Sequence, residues 1–166
     1  LACGMQPLAD GSDMGGSLRN PANFCNVVGL RTSPGRVPVW PAPVAWFPIS
    51  VQGPMARTVQ DAALMLSAIA GPDPRSPISI PETGDRFRRP LERDFQDVPI
   101  AWCDTLGGLP FDPQVKAVVD DNRSVFQALG CKVVDEEPDF RDADEIFRVW
   151  RAWRPASSLR GLGHGS

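Results

Sequence analysis

The chain holds a single histidine among 166 residues, and that scarcity limits the chemistry it can do. This residue, His164, stands in the glycine-rich tail Gly161-Leu-Gly-His-Gly-Ser. A general base must be held in place to work, and such tails are usually mobile. A Ser-His-Asp relay is therefore not expected, and His164 reads as solvated. Lysine is almost as rare, limited to Lys116 and Lys132. Lys116 lies off the apolar stripe of its helix and Lys132 opens a strand. Both are expected to face water, without the burial that lowers a lysine pKa. Cysteine occurs only at positions 3, 25, 103 and 131, with no Cys-x-x-Cys pair. That excludes a zinc pattern and a small disulfide scaffold, and it points to free thiols in a cytoplasmic protein. No apolar run reaches the roughly 18 residues that a membrane-spanning helix needs. The opening Leu-Ala-Cys-Gly lacks a basic n-region, so no signal peptide is expected. It reads as the end of a helix stopped by Gly4.

Charge is also modest. A net charge of −3 provides no basic stripe for nucleic acid. The basic cluster at Arg86–Arg93 and the acidic one at Asp135–Glu145 read as solvated faces. What is present looks globular, with 42% hydrophobic and 22% charged residues and length enough for one domain with a core. The 18 prolines concentrate in two stretches, Pro34–Pro48 and Pro72–Pro90. Both read as loops, and neither as a domain boundary.

The periodicities give an α/β class. Asn26–Thr32 reads as a buried strand and Ile49–Val51 as a short one. Val59–Ala70 reads as a helix, with Thr58 and Asp61 as a capping-box variant and Gly71-Pro72 as its stop. Val59, Ala62, Ala63, Leu66, Ile69 and Ala70 share one face. Val98–Cys103 and Cys131–Asp135 read as strands around a helix over Pro113–Leu129, in which Val115, Val118, Val119, Val125, Phe126 and Leu129 form a stripe expected to be buried. That order suggests a parallel βαβ crossover. A last helix is expected over Ala143–Arg154, capped by Asp142 and ended by Pro155, with 156–166 as a disordered tail.

The run Gly11-Ser-Asp-Met-Gly-Gly-Ser-Leu-Arg19 carries the most chemistry. Two glycines strip bulk from the backbone just before Ser17. A hydroxyl beside free amide donors supplies the parts of an acyl-transfer site, a nucleophile next to an oxyanion hole. The same run also suits a plain glycine turn in which Ser12 or Ser17 caps the next helix. Within the chain, Ser17 has no evident base.

This run continues into Asn20-Pro-Ala-Asn-Phe-Cys-Asn-Val-Val-Gly-Leu-Arg-Thr-Ser-Pro-Gly-Arg-Val-Pro38. Farther on comes Gly53-Pro-Met-Ala-Arg-Thr-Val-Gln-Asp-Ala-Ala-Leu-Met-Leu, then Ala-Gly-Pro-Asp-Pro74. Together these resemble the amidase signature family, whose hallmark is Gly-Ser/Thr-Asp-x-Gly-Gly-Ser-x-Arg. The likeness is dense over the first 75 or so residues and weaker through Ile100–Pro110 to about Trp153. It implies the family's fold, a mixed β-sheet flanked by helices, with residues 1–155 as part of an amidase domain.

By matching position, the resemblance makes Ser17 the nucleophile. It makes the N–H groups of Met14, Gly15, Gly16 and Ser17 the oxyanion hole, and Asp13 and Arg19 the braces of the loop. Ser12 stands where many relatives carry threonine. The family uses a Ser–cis-Ser–Lys triad in which the lysine and the cis-serine, the latter in a Gly-Ser-Ser-Gly-Gly stretch, lie farther upstream than the sixteen residues before Ser17. Those two groups and the family's C-terminal part are expected to be missing from this chain. The implied reaction is hydrolysis of a small-molecule amide without metal or organic cofactor, in an enzyme that can be homodimeric. Two alternatives stand beside it: the glutamine-amidase subunit of a tRNA-dependent amidotransferase, and a truncated, non-catalytic chain. The Ser33-Pro-Gly-Arg variant and the proline-rich Val37–Pro48 insert resemble stand-alone amidases.

Overall fold

The computed structural model describes residues 1–160, with side chains over 1–153. The expectations for His164 and for 161–166 fall outside the described residues. The chain divides into two compact units, Leu1–Leu91 and from Glu92 onward. The division falls just after Pro90, at the end of the second proline cluster.

The first unit is built on a three-stranded antiparallel sheet in the order β1-β3-β2. Its strands are β1 (Leu8–Asp13), β2 (Val28–Gly29) and β3 (Val51–Ala56). β1 pairs with β3 along its whole length, Leu8 opposite Ala56 and Asp13 opposite Val51. The strand expected over Asn26–Thr32 shrinks to two residues: at its start Asn26 takes φ +50° and Val27 N–H bonds the Ala22 carbonyl at 3.0 Å, and at its end it meets Pro54. That proline has no N–H to continue the ladder. Leu30 still donates to the Pro54 carbonyl at 3.1 Å, and beyond it the Thr32 hydroxyl donates to the Gln52 carbonyl at 2.7 Å. Leu1–Gly4 is a turn closed by Gly4 N–H on the Leu1 carbonyl at 3.0 Å, not a helix end.

Helix α1 (Arg19–Phe24) begins two residues after Ser17, and Leu18 precedes it. Leu18 is wholly buried, and the sheet is shaped to receive it. Gly11 and Gly53 face each other across β1 and β3. A Cβ on Gly11 would stand 2.9 Å from one Leu18 methyl, and one on Gly53 would stand 3.0 Å from the other. A full Leu burial is worth about 1.5–3 kcal/mol, so this notch fixes the loop that precedes α1 to the sheet.

Helix α2 (Val59–Ile69) runs as the sequence indicates, with the Thr58 hydroxyl accepting from Asp61 N–H at 3.1 Å. Ala62 and Leu66 are buried, whereas Val59 is exposed. A 3₁₀ turn, Gly84–Arg88, packs on α2 so closely that a Cβ on Gly84 would meet the Ser67 carbonyl at 2.1 Å.

In the second unit, β4 (Pro99–Trp102) and β5 (Lys132–Asp135) form the parallel pair that the order of elements suggests. The connection is two helices, α3 (Pro113–Asp121) and α4 (Arg123–Ala128), rather than one. At the break, Asn122 uses its side-chain amide to donate to the Val118 carbonyl at 2.8 Å, the acceptor its own N–H would take in a continuous helix. That N–H bonds Val119 instead, at 3.1 Å. The stripe expected to be buried is exposed: Val115, Val118, Val119, Val125, Phe126 and Leu129 all lie open to solvent. Helix α5 (Ala143–Arg160) continues through Pro155, so residues 156–160 belong to it. The four cysteines are free, and no helix among the described residues is long and apolar enough to cross a membrane. The fold is α/β, as the sequence indicates.

Candidate active site

The site is built around one buried carboxylate. Asp13 ends β1 with no solvent exposure. A buried charge is tolerable only when it is paired and hydrogen-bonded, and Asp13 is surrounded by donors. Its Oδ1 accepts from Gly16 N–H at 2.8 Å, Arg19 Nη2 at 3.0 Å and Arg31 Nη1 at 3.1 Å. Its Oδ2 accepts from Arg19 Nε at 2.9 Å and from the N–H groups of Leu18 and Arg19 at 3.3 and 3.4 Å. The Arg19 hydrogen bonds hold the carboxyl far below the usual carboxylate range, outweighing the cost of burial, and the three backbone amides add to the effect. The same pairing raises the Arg19 pKa.

The carboxylate thereby dictates the shape of residues 14–18. Gly16 takes φ +119°, a conformation that side chains rarely adopt, and a Cβ there would stand 2.7 Å from Asn20 Nδ2. Asn20 N–H donates to the Gly16 carbonyl at 2.7 Å. Leu18 points into the sheet while Ser17, one residue earlier, is exposed.

The structure therefore brings Asp13, Gly16, Ser17 and Arg19 into one loop, with Asp13 and Arg19 bonded as the sequence suggests. It corrects one assignment. The Gly16 N–H is spent on Asp13, which removes it from the set of four amide donors. The N–H groups of Met14, Gly15 and Ser17 have no intramolecular acceptor among the described residues.

Sequence reasoning missed Arg31. It follows β2, and its Nη1 reaches both the Asp13 carboxylate and the Asp13 backbone carbonyl while Nη2 donates to the Ile49 carbonyl at 3.2 Å. The only available signal was a cation closing the apolar run 27–30, inside the stretch that carries the family resemblance.

Neither lysine is placed to act as a neutral base. Lys116 Nζ pairs with Asp104 and, at 2.7 Å, with Asp120, and these contacts raise its pKa above the ordinary lysine value. Lys132 is largely exposed and pairs with Asp97 at 3.0 Å. Among the described residues, no group of histidine, cysteine, aspartate and glutamate is arranged to hold a metal.

The Amidase family model matches residues 1–158. The chain is 36% identical over 156 residues to an acylamidase of Rhodococcus erythropolis, covering 93% of this chain and 32% of that protein. It is 37% identical over 135 residues to a glutamyl-tRNA(Gln) amidotransferase subunit of Synechococcus sp. (strain RCC307), covering 81% of this chain and 28% of that one. Among solved structures, it superposes on a bacterial aryl acylamidase of the amidase signature family with a TM-score of 0.82 and 30% identity, covering 98% of this chain and 35% of that one. The chain thus spans about a third of the length of the relatives it matches. With the match running through nearly its whole length, the chain belongs to the amidase signature family.

Proposed function

We propose that this chain supplies the nucleophile segment of an amide-hydrolysing site, with Ser17 as the nucleophile. The observation that carries the reading is the division of groups around Asp13. The carboxylate draws the amides of Gly16, Leu18 and Arg19 inward. It leaves Ser17 exposed beside the uncommitted N–H groups of Met14, Gly15 and Ser17.

In the reaction, the Ser17 hydroxyl adds to the carbonyl carbon of a small-molecule amide and gives up its proton to a base. The carbonyl oxygen becomes an oxyanion and accepts from Met14, Gly15 and Ser17. One such donor is typically worth about 10²–10³ in rate. The tetrahedral species collapses, the C–N bond breaks, and the amine leaves with the proton the base had taken. Water then adds to the acyl-serine and releases the acid. No metal or organic cofactor enters this scheme. The resemblance to the family implies that the base is the lysine of a Ser–cis-Ser–Lys triad; Lys116 and Lys132, committed to carboxylates, do not fill that place. By itself the 166-residue chain is then expected to be inactive.

The acylamidase relative, matched over 93% of this chain, favours a stand-alone amidase over the glutamine-amidase subunit of a tRNA-dependent amidotransferase. The second reading keeps its place because the amidotransferase relative is equally similar, at 37% identity. The experiment is to offer the full-length protein carrying this chain an aryl acylamide and, separately, glutamine. Release of the aryl amine without a partner protein, lost in Ser17→Ala, is the expected result. Ammonia release from glutamine that requires an added partner protein would establish the second reading, and no turnover of either would favour a non-catalytic chain.

A further inference from the structure

We infer that Arg31 is a positioning residue for one oxyanion donor, holding the Asp13–Met14 peptide so that the Met14 N–H faces the substrate. The inference deepens the hydrolytic reading of Ser17 and rests on it. It starts from an apparent redundancy. Arg19 already answers the Asp13 carboxylate with two side-chain hydrogen bonds, at 2.9 and 3.0 Å. A second guanidinium is not needed for neutrality, yet Arg31 reaches the same residue.

What Arg31 does that Arg19 does not is donate to the Asp13 backbone carbonyl. That carbonyl and the Met14 N–H belong to one peptide unit. The unit is trans, since the cis bond among the described residues is Trp40–Pro41. In a planar trans peptide the C=O and N–H point in opposite directions. Fixing the carbonyl toward Arg31 therefore turns the Met14 N–H to the far side, away from Arg31. Arg31 is itself held from the other end by the Ile49 carbonyl at 3.2 Å, so the peptide is clamped against a fixed point. A charged donor on the carbonyl also polarises the peptide and strengthens its N–H as a donor.

The charge count adds a second effect. Two guanidinium groups face one carboxylate at Asp13. The cluster keeps one positive charge beside the place where an oxyanion would form, and preorganised charge of that sign favours the transition state over the neutral amide. The remaining donors are fixed differently. The Gly16 carbonyl is tied to Asn20 N–H at 2.7 Å, which orients the Ser17 N–H by the same peptide geometry without any side chain.

The test uses the full-length protein carrying this chain, with active sites counted by stoichiometric fluorophosphonate labelling so that misfolded molecules do not enter the rate. Arg31→Met removes the clamp, and kcat per titrated site should fall by about 10²–10³, the usual cost of an oxyanion donor. KM should stay within about threefold, because the lost interaction belongs to the transition state. Affinity for a boronic acid, which adds to a serine hydroxyl as a tetrahedral anion, should fall in parallel with kcat. Arg31→Lys keeps the charge but carries its donors on a single nitrogen, which cannot span the three acceptors, so it should recover part of the loss. It also carries the test if Arg31→Met does not fold. Unchanged kcat per site, or equal weakening of substrate and boronic acid, would overturn the role of Arg31. Turnover that survives Ser17→Ala would instead overturn the reading beneath it.

Discussion

Replacing Asp13 by asparagine changes one atom and should be costly. Each carboxylate oxygen accepts three donors: Oδ1 from Gly16, Arg19 and Arg31, and Oδ2 from Leu18 and from Arg19 twice. An asparagine amide has one acceptor and one donor end, so either orientation sets an NH₂ group against three donors. The side chain is wholly buried and has no water to turn to. Breaking a buried ion pair by removing one partner costs about 3–5 kcal/mol. Arg19 lies half exposed and can rehydrate, which places the cost near the lower end, about 3 kcal/mol. Against a typical total of about 5–15 kcal/mol this is a large fraction. In urea it should move the unfolding midpoint down by roughly 1–2 M at an ordinary slope. The acid limb adds a second signature. The folded carboxyl is held below its ordinary value near 3.8. Its contribution is therefore complete at neutral pH and is lost as pH falls below that value toward the folded pKa. The asparagine variant should lack this part of the acid dependence. A midpoint shift below about 0.3 M, or an acid limb identical to that of the wild type, would refute the view that this carboxylate organises the loop.

Other expectations follow from the same geometry. Gly16→Val should abolish turnover in the full-length protein, because a Cβ meets Asn20 Nδ2 at 2.7 Å in a backbone conformation closed to β-branched residues; steady-state rates check it. Glu137 accepts from Thr105 N–H at 2.6 Å and Gly107 N–H at 2.9 Å, and its pKa is lowered to about 2. The amide resonances of Thr105 and Gly107 should therefore titrate together near that pH, the loop being held above it and released below, and Glu137→Gln should remove the titration. The 166-residue chain is expected to self-associate through the exposed apolar stripe of α3 and α4, and Val118→Asp should reduce that association in analytical ultracentrifugation.

The parts of the fold legible in the sequence are those set by local chemistry. Thr58 and Asp61 mark the start of α2 because a cap needs only a hydroxyl and a nearby N–H. The strand–helix–strand order gives the parallel pairing of β4 and β5. What escaped depends on partners distant in sequence. β1 is Leu-Ala-Asp-Gly-Ser-Asp, a composition poor in strand formers; it is a strand because β3 pairs with it and because Gly11 and Gly53 make room for Leu18. β2 ends where it meets Pro54 on another strand. The stripe on α3 and α4 was legible as an amphipathic face, but periodicity does not say what covers a face. The same division holds at the site. Asp13, Ser17 and Arg19 lie within one short motif and were read together, whereas Arg31, eighteen residues from Asp13, reaches it only through the fold.

If Ser17 is the nucleophile, a serine-directed fluorophosphonate should attach there, and locating the adduct is the most direct test. The full-length protein carrying this chain would be labelled, digested and analysed by mass spectrometry, alongside a Ser17→Ala variant matched in melting temperature. The expected result is an adduct on Ser17, with neither adduct nor amide hydrolysis in the variant. An adduct on another serine, or hydrolysis that persists in the folded variant, would contradict it.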